Sequence, residues 1–106
     1  MTTSPTTLSL KALRDAGYVA AVVEHFNPHK RIRQDLFGFI DILAIRPGET
    51  LAVQTTSRSN MAARVRKIAE HDNVAAVREA GWRIEVHGWA QKKPRARWEC
   101  RTVDVS

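Results

Sequence analysis

Residues 39–56 read Phe-Ile-Asp-Ile-Leu-Ala-Ile-Arg-Pro-Gly-Glu-Thr-Leu-Ala-Val-Gln-Thr-Thr, and they constrain the fold more than any other stretch. Two apolar runs rich in β-branched residues flank Pro47-Gly48, a strong turn dipeptide, so the segment is expected to be a β-hairpin with strands at 39–45 and 50–56. Each strand carries a polar residue where a buried strand should have none: Asp41 in the first and Gln54 in the second. An unpaired buried carboxylate is costly, so Asp41 needs a hydrogen-bonding partner, a cation or a solvent-lined notch. Strand side chains alternate between faces, which puts Gln54 on one face with Ala52 and Thr56. The short turn sets a register in which Asp41 and the Gln54/Thr56 pair converge at one end of the sheet.

Around this hairpin the chain offers one domain of 106 residues. Residues 1–5 are expected to be a disordered end. Leu8, Leu10, Ala12 and Leu13 fall near helical spacing, with Gly17 as a C-terminal cap, giving a helix over 7–16. Residues 18–26 read as a strand on which Val22, Glu24 and Phe26 share a face, and 27–35 as a polar connection. Ser57 or Ser59 is expected to cap the next helix, which keeps Met61, Val65 and Ile68 on an apolar stripe. His71-Asp72-Asn73 should break it, with a second piece running to Ala80 and capped by Gly81. Residues 82–89 alternate as a half-exposed strand, 90–94 form a basic turn, and 97–105 an edge strand. The fold class is therefore α/β, in the order α-β-β-β-α-β plus a C-terminal strand. A helical crossover into the fourth strand implies a mixed sheet covered by helices.

Net charge is +6 and arginine supplies twelve of the seventeen basic residues. Arginine's planar fork suits phosphate, so an anionic polymer is the expected partner. Candidate phosphate contacts are Lys30, Arg31 and Arg33 in the 27–34 loop, Arg58, Arg64 and Arg66 at the next helix, and Lys92 and Lys93. Ser57, Ser59 and Asn60 could add side-chain contacts. No apolar run reaches membrane-spanning length, and the first residues lack the pattern of a secretory signal. One cysteine, Cys100, leaves no internal disulfide and suits a reducing cytoplasm. No His/Cys spacing supports zinc, and the four histidines are expected to be structural or surface groups. Trp82, Trp89 and Trp98 are expected to pack in the core or on the sheet, with Trp89, beside the basic turn, the one to test for stacking on a base.

Phosphodiester hydrolysis calls for a hard cation that polarises phosphate and activates water. Mg²⁺ takes oxygen ligands and keeps several waters, so one or two carboxylates suffice. Asp41 is the first candidate ligand, Gln54 and the Thr55 carbonyl could add neutral oxygens, Glu24 a second charge, and Asp35 is a further candidate.

Asp41-Ile-Leu-Ala-Ile, a turn, and Leu51-Ala-Val-Gln54-Thr-Thr56 together resemble the core of the PD-(D/E)XK nuclease superfamily. Within it the chain is similar to small phage and prokaryotic Holliday-junction-resolvase-like proteins, over roughly residues 8–89. The runs at 33–41 and 56–60 carry the same resemblance. It implies a restriction-endonuclease-like core, DNA as partner, branched DNA in particular, Mg²⁺ or Mn²⁺ as cofactor, a homodimer, and the cytoplasm of a prokaryotic or phage-infected cell. It places Asp41 on the metal-binding aspartate and Gln54 on the Glu/Gln position. Thr56 falls where the family has its catalytic lysine and carries no cation. Glu24 could replace a helix-borne glutamate of some resolvases, and Lys67, Arg64 or Arg58 could supply the missing cation from the following helix. The expected activity is metal-dependent endonucleolytic cleavage. The alternatives are a non-cleaving nucleic-acid-binding or assembly protein on the same scaffold and a basic RNA-binding domain.

Overall fold

The computed structural model describes residues 3–106. Pro47 fixes φ near −65° and Gly48 adopts φ 73°, so the central hairpin closes as a type II turn. Its strands, β4 (Ile42–Arg46) and β5 (Glu49–Ser57), pair antiparallel with Arg46 opposite Glu49 and Ile42 opposite Val53. β1 (Val19–Val22) joins β4 antiparallel, β6 (Arg83–Ala90) joins β5 parallel, and β7 (Glu99–Asp104) joins β6 antiparallel. The result is a mixed five-stranded sheet in the order β1-β4-β5-β6-β7. Helix α1 (Pro5–Asp15) covers one face; α2 (Met61–Ala69) and α3 (Val74–Glu79) cover part of the other. The described residues form one α/β domain with three α-helices.

The alternation along each strand divides the core in two. Ile42, Ala44, Leu51 and Val53 point toward Leu13 of α1. Ala52, Ile84 and Val86 point toward Met61, Ile68, Val74 and Val77, joined by Phe39 and Ile40 from the loop before β4. Each fully buried isoleucine or valine here contributes about 1.5–3 kcal/mol.

Several expected boundaries move. Residues 1–2 lie outside the described residues, but Ser4 and Pro5 are not a disordered end. The Ser4 hydroxyl accepts the Thr7 N–H at 3.1 Å and Pro5 opens α1, two residues earlier than the apolar spacing suggests. The expected strand at 18–26 is split: β1 ends at Val22, the Val23 N–H makes one more bond in the same register, to the Asp41 carbonyl, and a separate strand opens at His25. Val22, Glu24 and Phe26 therefore share no strand face. The supposed polar connection at 27–35 is a second hairpin, β2 (His25–Asn27) with β3 (Ile32–Gln34). Asn27 organises its turn: Oδ1 accepts the N–H groups of His29 and Lys30, and Arg31 takes φ 55°.

The strand expected from residue 39 begins at Ile42, since Leu36 and Ile40 close a tight turn against each other. Neither Ser57 nor Ser59 caps α2. A 3-10 turn (Arg58–Asn60) intervenes and Asn60 stands at the cap position. The break at His71–Asn73 separates α2 from α3 as expected. β6 is not half-exposed. It lies between β5 and β7, and Val86 to Trp89 are buried from both faces.

Candidate active site

Asp41 immediately precedes β4, and its backbone N–H bonds the Val53 carbonyl at 2.9 Å. That places its carboxylate beside the carboxyl half of β5. Three donors converge on Oδ2: the Thr55 N–H at 2.8 Å, the Gln54 side-chain amide at 3.0 Å and the Thr55 hydroxyl at 3.2 Å. The Thr55 hydroxyl also meets the Thr6 hydroxyl at 2.8 Å. Since Thr55 donates to Asp41, Thr6 must donate to Thr55, which ties the first turn of α1 to the site.

Glu24 follows β1 and Asp35 follows β3. Each offers an oxygen that, with one from Asp41, forms a group within 4.8 Å. These three carboxylates, Gln54, Thr55, Pro5, Thr6 and Arg64 of α2 line a pocket of about 190 Å³. Asp41 is 4% exposed, and burial pushes its carboxyl up to about 7. The Thr55 N–H opposes that rise, while the Asp35 carboxyl beside it and the charge of Glu24 add to it. Three carboxylates so close repel one another and invite a cation.

The donor set fits Mg²⁺ or Mn²⁺. All three ligands are hard oxygens, and metal–oxygen bonds of about 2.0–2.1 Å put octahedral ligand atoms roughly 2.9–4.1 Å apart. The three oxygens lie within 4.8 Å of one another, so modest side-chain movement would bring them to that spacing.

Asp35 is held there by the α2–α3 junction. The Gly38 N–H bonds the Asp35 carbonyl at 3.0 Å, closing a turn in which Phe37 and Gly38 have φ 55° and 92°. The Asn73 side-chain amide donates to the Phe37 carbonyl at 3.0 Å, and His71 packs on Phe39 with ring centroids 5.3 Å apart. Gly38 lies so close to the His71 ring that no Cβ would fit.

The other expected site residues fall as follows. Glu24 joins the pocket and is also paired with Arg33 at 3.2 Å. Gln54 reaches Asp41 through its N–H₂ group. Thr56 is buried on the Gln54 face but does not line the pocket. Lys67 is exposed and away from the pocket lining, whereas Arg64 is in it. Asp35 and Arg64 therefore take more central places than their sequence settings suggest, and Thr6 enters with no sequence signal.

Lys30, Arg31, Arg33, Arg58, Arg66, Lys92 and Lys93 are all exposed. β1 and β4 are antiparallel, β4 and β5 are antiparallel, and β5 and β6 are parallel, so β1, β5 and β6 run the same way. The hairpin carrying Lys30 and Arg31, the Arg58–Arg64 segment and the Lys92-Lys93 turn all leave the sheet at the carboxyl ends of these strands. That is the end holding the acidic pocket.

His87 and Trp89 are core residues. Trp89 is not free for stacking: its indole N–H donates to Ser9 Oγ at 2.8 Å. Ser9, fully buried on α1, meets His87 Nδ1 at 2.9 Å, and His87 Nε2 meets Glu85 at 3.1 Å. The Glu85 carboxylate only accepts, so Nε2 donates to it, Nδ1 of the neutral ring accepts, and the Ser9 hydroxyl donates to Nδ1 while accepting the indole N–H. This chain fastens α1 to β6.

No protein-family model, curated protein or solved structure matches this chain.

Proposed function

We propose that the protein is a DNA-binding, metal-dependent phosphodiesterase of the PD-(D/E)XK nuclease type. The observation that carries this reading is the clustering of Glu24, Asp35 and Asp41 oxygens within 4.8 Å, in a pocket shared with Arg64, at the basic end of the sheet. The restriction-endonuclease-like reading of the topology belongs to the same proposal. The three carboxylates would hold Mg²⁺ or Mn²⁺, which supplies charge to polarise phosphate and acidify water. Thr55 and Gln54 orient Asp41 by occupying Oδ2, leaving its other oxygen for the ion. Arg64 takes the charge-stabilising part that Thr56 cannot. A guanidinium stays protonated and grips phosphate in a bidentate fork, so it clamps the substrate rather than moving a proton. The exposed cations at the same end hold flanking phosphates. Their contacts are with the backbone and carry no base preference, which suits recognition by structure, including branched DNA, over recognition by sequence. A homodimer would bring two such pockets to two strands.

Thr56 in place of the lysine favours a second reading: a scaffold that binds DNA and does not cut it. Labelled four-way junction, duplex and single-stranded DNA, incubated with Mg²⁺ or Mn²⁺, separate the two. Metal-dependent cutting by the wild type that is lost in Asp41→Ala and Arg64→Ala supports the phosphodiesterase. Intact binding without cutting of any substrate establishes the second reading, and no binding to DNA refutes both.

A further inference from the structure

The turn that presents Asp35 to the acidic pocket also presents Phe37 to a different one. Phe37, Trp82, the α3 residues Ala76 and Val77, and the C-cap residue Ala80 line an apolar pocket of about 320 Å³, with Asn73 as its polar member. Phe37 is 48% exposed and has φ 55°, a conformation that is uncommon for a bulky side chain. Nothing in the turn requires an aromatic there; glycine would suit the backbone better. The strained conformation is nevertheless pinned by Asn73, whose amide donates to the Phe37 carbonyl. Phe37 sets its ring 6.1 Å from that of Trp82, tilted by 42°. Strain kept in place beside a candidate site is a signature of use.

We propose that this pocket receives an unpaired nucleobase of the DNA strand whose phosphate lies at the acidic pocket. The inference rests on the nucleic-acid reading above and names the substrate feature that reading leaves open. Phe37 is two residues from Asp35 on one hydrogen-bonded turn, so a single loop contributes a side chain to each pocket. The lining is flat-faced and apolar with a single amide, which matches the π-face and polar edge of a base. A base inside a duplex cannot reach such a pocket without leaving its stack, so a base already unpaired at a branch, bulge or single-stranded end binds at lower cost.

The test uses three duplexes of equal length in chelator, so that nothing is cut. One is fully paired, one carries a single unpaired 2-aminopurine, and one carries an abasic site at that position. The expected result is roughly tenfold or tighter binding of the 2-aminopurine duplex over the abasic one, the size of one base–aromatic stack, with quenching of its fluorescence. Phe37→Gly, which relieves the backbone, and Ala76→Phe, which fills the pocket from α3, should each abolish that preference. Equal affinity for base and abasic duplexes overturns the inference, as does a preference that survives both substitutions. If the paired duplex still binds in that case, the nucleic-acid reading stands and the base pocket alone falls. If none of the three binds, both fall.

Discussion

Asp41 is where the chemistry of single residues is most consequential. Its carboxyl ionises near 7 in the folded protein, against about 3.8 when unfolded. Between those values the native state keeps a proton that the unfolded chain has lost. Asp41 therefore contributes stability that is fully present below about pH 3.8 and is lost as pH rises through 7. The slope over that window is about 1.4 kcal/mol per pH unit. In chelator, urea midpoints should fall between pH 4.5 and 7, and Asp41→Asn should flatten the fall. Its side-chain oxygen can still accept from Thr55 and Gln54, and no third negative charge meets Asp35 and Glu24. Bound Mg²⁺ would reverse the sign, because it would favour the ionised form. At pH 6, calorimetry in buffers of different ionisation enthalpy should detect a proton released with the ion. A midpoint that is independent of pH in chelator would refute this account of Asp41.

Gly38 is a second residue with a calculable cost. It combines φ 92° with a His71 ring where a Cβ would sit. Gly38→Ala should destabilise the fold by about 2–4 kcal/mol and weaken Mn²⁺ binding by displacing the Asp35 turn. His71→Ala in the same chain should recover the steric part and leave the backbone part, as read by denaturant midpoints of the two single variants and the double variant.

At the level of elements, α1 is fastened to the sheet at two points. Thr6 meets Thr55 beside the acidic pocket, and Ser9 links His87 and Trp89 one helical turn further on. Ser9→Ala leaves the indole N–H and a ring nitrogen of His87 buried without partners. It should cost about 2–3 kcal/mol. If the helix also carries Thr6 away from Thr55, the apparent affinity for Mn²⁺ drops with it. Unchanged stability in Ser9→Ala would mean that water enters and α1 is not held by this chain.

The central hairpin was legible in the sequence because polar residues inside apolar strands stand out, and Asp41 and Gln54 do meet. Glu24 was found through the wrong element, since it lies in the link between β1 and β2 and not within a strand. Asp35 was only a lesser candidate because a carboxylate next to Leu-Phe-Gly looks like any turn residue until His71 and Asn73 clamp that turn. The 27–35 segment hid a hairpin because its strands are three residues each, and its turn is set by Asn27 side-chain bonds rather than by a Gly-containing dipeptide. Arg64 could not be separated from Arg58, Arg66 and Lys67 by spacing alone, since which of them meets the sheet end depends on the 3-10 turn that offsets α2. Trp89, beside the basic turn, is drawn into the core because Ser9, far away in sequence, takes its indole N–H.

For the molecule as a whole, the direction of the strands decides where charge collects. β1, β5 and β6 deliver the Lys30-Arg31 hairpin, Arg58 with α2, and Lys92-Lys93 to one end. The opposite end pairs its cations internally: Arg46 and Arg83 meet Glu49, and Arg83 also meets Glu85. A polyanion docking at the carboxyl ends displaces counterions there and nowhere else. Duplex affinity, measured in chelator across a range of KCl, should therefore fall on a log–log line whose slope counts phosphates engaged, about 0.9 each. Lys30→Ala, Arg31→Ala and Lys92→Ala should each weaken binding and lower the slope by about one phosphate contact. Arg46→Ala, at the far end, should leave both affinity and slope as they are. Slopes that respond equally to Arg46 and Lys92 would show that the net charge of +6 acts as a diffuse field, with no interface at the strand ends.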